Sequence, residues 1–526
     1  MTKCGLVSLT SLLFILFLNF QTVLADSISS TKVDASLIKQ YSEQEIDTIS
    51  GQFIIIGISG TELTPSEIQN FKEIKPGGVI LFKRNISSFQ QLIKLNLDLQ
   101  KLSIETTGRP LFISTDQEGG RVARLQISPA MPSPLAMGMT NNESLVEEVS
   151  FESARLLKAL GINMNLAPVL DVLIDNSYSF IGERSFGSDA KSVSNLGSSF
   201  AQGQLRSGVI PTSKHFPGAG SIQKDPHVEK VLASKLSSLE LSPFKSFAQI
   251  FPSAMMMSHA SYPSLDNSGT PATYSEKIMK NLLRKEWSYR GLIITDDLLM
   301  KGADTSINRG ESAVRSISSG ADMVMVSWGI KNQHQVKESI RNSIIKGKIS
   351  SLDIKDKISR IFSIKKLLQL NLNPRIPASE MTVYESKKMY DLDNRILDIN
   401  LNRDLTDVQF NWNDQFTLIS SDMNFIWAFE RALGKKVQYI KPEDLSKKES
   451  KEVLKSNNIV LIPIHNRKIF YQIDGFSPDL KKRTILFLMS QPIPTTKKSY
   501  LSVVKLFHPH KELPRKLADL IRTKIY

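Results

Sequence analysis

Between residues 50 and about 330, eight short apolar, β-branched runs alternate with stretches of helical periodicity. The runs are Phe53–Gly57, Gly78–Phe82, Leu111–Thr115, Ile162–Leu166, Val209–Ser213, Ser253–Met257, Gly291–Thr295 and Ala321–Val326. Short runs of this length read as strands. The intervening segments, such as Ser88 to Leu102 and Ser144 to Leu160, repeat apolar residues at helical spacing. The second of these carries Ser144 to cap its start and Gly161 to end it. Eight β/α units in succession predict an α/β fold, a closed (β/α)₈ barrel, in preference to a doubly wound sheet.

The polar residues reinforce that reading, because they fall just past the strand ends, where barrel active sites assemble. Asp116 follows the third run, Asp171 and Arg184 the fourth, and Lys214 and His215 the fifth. His259 follows the sixth, Asp296 and Asp297 the seventh, and Trp328 the eighth. Adjacent strand residues face opposite ways, so only one of Asp296 and Asp297 is expected to enter a site. The other is expected to support it or cap a helix, and spacing alone does not choose between them.

After the fifth run, Lys214-His215-Phe216-Pro217-Gly218 leads to Asp225-Pro226-His227. Pro226 biases Asp225 toward an extended conformation, in which residues i and i+2 project to one side. Asp225 and His227 can therefore meet, the carboxylate raising the basicity of the imidazole and fixing its tautomer. Such a pair moves protons and requires a partner group. His215 alone is also compatible with a core histidine bonded to backbone, His259 with a supporting or a core role, and Met255-Met256-Met257 with simple barrel packing.

The rest of the chain divides around this block. Residues 1–25 hold Lys3, an apolar run from Leu12 to Phe20 and Val23-Leu24-Ala25 before Asp26, the pattern of a secretory signal peptide. The alternative is an uncleaved N-terminal anchor. The sole cysteine, Cys4, precedes that run, so an exported chain would have neither disulfides nor a thiol nucleophile. The barrel is expected over 26–370, a linker over 371–400 around Pro374 and Pro377, and a small α/β domain over 401–526 with a structural or docking role. The net charge of +14 comes from scattered lysine pairs mixed with acids. That distribution argues against nucleic acid and suits a solvated basic surface facing an anionic wall or membrane.

The segments GGVILFKRN, DQEGGRVARL, NLAPVLDV, GERSFGSD, SKHFPGAG, DPH and IITDDLLMKGA, in this order, resemble glycoside hydrolase family 3, most closely its β-N-acetylglucosaminidase branch. The resemblance covers about residues 50 to 330. It implies Asp296 as nucleophile, His227 as general acid/base charged and oriented by Asp225, and Asp116, Arg124, Arg184, Lys214 and His215 as ligands of the N-acetylglucosamine unit. It further implies a retaining, exo-acting hydrolase of N-acetylglucosamine-containing glycans or muropeptides, with no cofactor or metal. The signal segment implies export to the periplasm, the cell envelope or the medium, and the protein is expected to be a monomer. A β-glucosidase or xylosidase, a metal-dependent hydrolase and a non-catalytic sugar-binding protein are the competing readings. The family loop usually reads KHFPGHGD, and this chain carries Ala219 and Ser221 at its histidine and aspartate positions.

Overall fold

The computed structural model describes residues 41–523 except 126, 128–129, 175–178, 223–228, 234–235, 304–306, 370–377, 406, 409, 411–413, 446, 456–457, 465–475, 490–501 and 507–511. The expected signal segment 1–25 and the Asp225–His227 pair therefore lie outside the described residues. Eight parallel strands close a barrel: β1 (Ile54–Gly57), β2 (Gly78–Leu81), β3 (Phe112–Thr115), β4 (Met164–Asn165), β5 (Ile210–Phe216), β6 (Ala254–Met257), β7 (Leu292–Asp297) and β8 (Met323–Val326). Each pairs with its neighbour in sequence, and β8 returns to β1 through Ile54 opposite Val324.

Burial explains the continuous apolar runs. Ile54, Ile55 and Ile56 are all at most 1% exposed, one face packing in the barrel interior and the other under helices. Each such side chain stabilises the fold by roughly 1.5–3 kcal/mol relative to leaving it in water. Hydrogen-bonding side chains set the helix starts: Thr64 and Ser237 form capping boxes with Glu67 and Glu240, and Ser88 caps Phe89–Thr107. The helix expected to be capped by Ser144 is capped two residues earlier, because Asn142 Oδ1 accepts from Leu145 N at 3.0 Å; it spans Glu143–Ala159. Gly161 follows at φ +85°, a conformation in which glycine carries no Cβ penalty.

The segment expected as a linker over 371–400 is instead occupied from Ala378 by a helix, Ala378–Leu405. Its apolar residues explain this. Met389, Leu392 and Ile396 pack with Leu145, Val149 and Phe200 of the barrel helices. Leu397, Leu401 and Leu405 enter the core of the C-terminal domain. The helix is thus a wall shared by both domains rather than a tether.

The C-terminal domain is a parallel sheet of β9 (Phe416–Ile419), β10 (Gln438–Ile440), β11 (Ile459–Ile464), β12 (Thr484–Leu488) and β13 (Ser502–Lys505), in the order β10-β9-β11-β12-β13. Leu135 and Leu173, in the segments that follow β3 and β4, pack with Ile419, Ile462 and Leu486 of this sheet. The second domain therefore seats beside the barrel end that carries the polar residues. No helix among the described residues is long and apolar enough to cross a membrane.

Candidate active site

The mouth of the barrel is built from residues delivered by several strands. After β3, a hairpin pairs Gln117–Gly119 with Val122–Ala123 across Gly119 (φ +103°) and Gly120 (φ +57°). A Cβ on Gly119 would stand 2.1 Å from the carbonyl oxygen of Pro132, so only glycine fits this close approach. Gln117 braces the hairpin: its Oε1 accepts from the backbone of Arg124 and Leu125, and its own N–H donates to Asn165 Oδ1 on β4. The turn thereby presents Asp116, Glu118 and Arg124 together.

Asp116 Oδ1 accepts from Lys214 Nζ and Oδ2 from Arg124 Nη2, both at 2.8 Å. Glu118, with a side chain fully shielded from solvent, takes a two-pronged contact from Arg184 at 2.8 Å for each prong and Lys214 Nζ at 2.6 Å. Arg184 stands in a single 3₁₀ turn, Gly182–Arg184, and its Nη2 lies 3.3 Å from His215 Nε2. Asp171, past β4, holds the other side of that ring. Its Oδ2 is 2.7 Å from His215 Nδ1, and its Oδ1 accepts the backbone N–H groups of His215 and Ala219. Asp171, Glu118 and Asp116 thus face Arg124, Arg184 and Lys214 in one largely buried array.

Burial by itself pushes the Glu118 carboxyl up, but the charges of Arg184 and Lys214 outweigh it and bring it down to about 2. Asp116 behaves alike: burial opposes ionisation, and Lys214 and Arg124 hold the carboxyl well below the ordinary carboxylate range. Lys214 is pulled down by burial yet ends above its ordinary value because of Asp116 and Glu118. Asp116, Glu118 and Lys214 therefore stay ionised across the neutral range, and the array offers fork-shaped and point-charge donors suited to sugar hydroxyl and amide oxygens.

The two aspartates that end β7 separate cleanly. Asp297 Oδ1 accepts from Leu299 N and Ser327 N, and Oδ2 from the Ser327 hydroxyl. Burial pushes its carboxyl up, and the buried His259 places Nε2 3.0 Å from its backbone carbonyl. Asp296 is half-buried; its Oδ1 accepts from Asp297 N at 2.8 Å, and Oδ2 has no hydrogen-bond partner among the described residues. One carboxylate braces the strand end, and the other keeps an oxygen without a partner among the described residues. Nearby, the Arg84 guanidinium lies between the rings of Phe82 at 4.4 Å and Trp328 at 4.5 Å and donates to the carbonyls of Ile58 and Ser327.

The structure brings together Asp116, Arg124, Arg184, Lys214 and His215, as the sequence led us to expect, and sets Asp296 at the same end of the barrel. The sequence did not single out Glu118, and it placed Asp171 at the rim without a role. Asp171 stands past a strand end, which was a usable signal; Glu118 is marked only by its place between Asp116 and Arg124.

The match described as Glycosyl hydrolase family 3 N terminal domain spans residues 46–364. The chain belongs to glycosyl hydrolase family 3. It is therefore a glycoside hydrolase. The chain is 34% identical over 282 residues to a beta-hexosaminidase of Idiomarina loihiensis, covering 52% of this chain and 83% of the relative. It is 33% identical over 298 residues to the beta-hexosaminidase of Haemophilus influenzae strain PittEE, covering 55% and 83%. Among solved structures, a family 3 β-N-acetylglucosaminidase from Paenibacillus sp. superposes with a TM-score of 0.77 at 24% identity, covering 91% of this chain and 97% of that one. That likeness extends the shared fold through the C-terminal domain. M tuberculosis LpqI aligns over 64% of this chain and 97% of its own, with a TM-score of 0.55 and 26% identity.

Proposed function

We propose that this family 3 enzyme is a retaining exo-β-N-acetylglucosaminidase, exported and acting on fragments of cell-wall glycan. The observation that carries the reading is the largely buried Asp116–Glu118–Asp171 and Arg124–Arg184–Lys214 array at the same barrel end as Asp296, whose Oδ2 has no hydrogen-bond partner among the described residues. The relatives' name, beta-hexosaminidase, supports a terminal N-acetylhexosamine as the sugar held there.

In this reading the array grips the non-reducing sugar, and Asp296 attacks its anomeric carbon. A covalent glycosyl-aspartate forms as the glycosidic bond breaks, and water then releases the sugar with its configuration retained. His227, held by Asp225, gives a proton to the leaving oxygen and takes one from the incoming water. An imidazole with an ordinary pKa near roughly 6.5 serves both steps at neutral pH. Export through residues 1–25 and a basic surface of net charge +14 support an anionic cell envelope as the working place.

An array built to hydrogen-bond an acetamido group rejects the sugar that lacks it. Aryl β-N-acetylglucosaminide is expected to exceed aryl β-glucoside in kcat/KM by at least about 100-fold. Equal or reversed rates would favour a glucosidase and sink this assignment. His227→Ala is expected to slow a natural disaccharide about 100-fold more than an activated aryl glycoside, whose leaving group needs no proton. Equal losses on both substrates would remove His227 from the proton-transfer role.

A further inference from the structure

The opposite, N-terminal end of the barrel holds a second polar cavity, of about 430 Å³, lined by Arg109, Ser359, Phe362, Ser363, Lys365 and Lys366. Ser359, Phe362, Ser363 and Lys366 recur at i, i+3, i+4 and i+7 along the helix Ser351–Gln369, so one helix face forms a wall. Arg109, just before β3, is held over the Phe362 ring at 4.5 Å. Lys365 closes the inner end. It is 1% exposed, donates to Gln52 Oε1 at 2.8 Å and sits 5.2 Å from the centre of the Phe112 ring. Gln52 is itself oriented, since its Nε2 donates to the carbonyls of Lys75 and Pro76.

The charge balance of this cavity is unusual. Lysines are almost never fully buried without a charged partner. Buried Lys214 meets Asp116 and Glu118, and buried Lys337 meets Asp47. Among the described residues, Lys365, Arg109 and Lys366 have no carboxylate at ion-pair distance and no acid lines the cavity. An ammonium offers three donors, and Gln52 takes only one of those on Lys365. Two cationic side chains, the buried Lys365 amine and two hydroxyls therefore line one space, with no carboxylate beside them among the described residues.

We propose that this cavity is a binding site for a small multivalent oxyanion of the phosphate or diphosphate class, separate from the catalytic mouth. The fork of Arg109 and the two ammonium groups match the several oxygens of such an anion, and the serine hydroxyls complete its hydrogen bonds. Burial, reinforced by Arg109, brings the Lys365 ammonium down to about 7. A bound anion favours the charged form, so binding above neutrality draws a proton onto Lys365.

Titration calorimetry of the full chain with sodium pyrophosphate and with inorganic phosphate tests this, at low ionic strength and about pH 8, in two buffers of different ionisation enthalpy. One anion is expected to bind per cavity with proton uptake, at least about tenfold more weakly in Arg109→Gln/Lys366→Gln, a surface pair whose removal leaves turnover and Tm unchanged. Lys365→Met is expected to abolish the proton uptake. No binding of either anion overturns the proposal, as does binding that persists unchanged in the double variant, which would assign it to Arg124, Arg184 and Lys214 at the mouth. Proton uptake that survives Lys365→Met overturns it equally.

Discussion

Replacing Asp296 with asparagine is expected to lower kcat/KM for aryl β-N-acetylglucosaminide by at least about 1,000-fold, the scale on which loss of a covalent nucleophile acts. Folding is expected to be untouched. The hydrogen bond of Asp296 recorded among the described residues is accepted from Asp297 N, and an amide oxygen at the same place accepts it equally well. The neighbouring substitution separates chemistry from support. In Asp297→Asn the amide oxygen still accepts from Leu299 N and Ser327 N, and the Ser327 hydroxyl can reverse its role to accept from the new NH₂. Activity there is expected to fall less than about tenfold, a modest loss of positioning. Rapid quenching with a slow substrate, followed by intact-mass measurement, gives a second readout: the wild-type chain should carry one added N-acetylhexosaminyl unit and Asp296→Asn none. The idea fails if Asp297→Asn is the dead enzyme and Asp296→Asn the active one, or if the adduct survives in Asp296→Asn.

The choice between these two aspartates shows where a sequence stops being legible. They are adjacent at the end of β7, and period-two alternation says only that they differ. The hydrogen bonds that separate them come from Ser327, thirty positions away at the end of β8. The barrel itself was legible because parallel strands buried on both faces leave unbroken runs such as Phe53–Gly57. The polar residues after those runs were legible for a related reason, since a barrel places strand ends around one rim. Their partnerships were not. Glu118 meets Arg184 66 positions later, and Asp171 meets His215 44 positions later, with no periodicity linking either pair. The helix Ala378–Leu405 was obscured for a different cause. Pro374 and Pro377 drew attention to a break just upstream, while Met389, Leu392, Ile396, Leu397, Leu401 and Leu405 already repeat at helical spacing.

Glu118 carries the other large effect. Glu118→Ala removes the shared anion of Arg184 and Lys214 from a position shielded from solvent, leaving Arg184 without its two-pronged partner and Lys214 with Asp116 alone. Breaking a buried pair in this way is expected to lower the unfolding free energy by about 3–5 kcal/mol, read from urea midpoints at constant slope. The milder Glu118→Gln keeps an oxygen and the shape, and so isolates the charge. The folded-state value of about 2 lies below the ordinary 4.5, so the stabilisation from this carboxylate is fully present above about pH 4.5. It is lost as pH falls from there toward about 2, where the folded carboxyl also takes up its proton. The gap in stability between the wild-type chain and Glu118→Gln should therefore narrow steadily on acidification. A gap that stays constant through that window would mean that Glu118 acts through packing rather than charge. The same carboxylate also sets the angle of Arg184 against His215, so Glu118→Gln should raise KM more than it lowers kcat if the array grips the sugar before the chemistry begins.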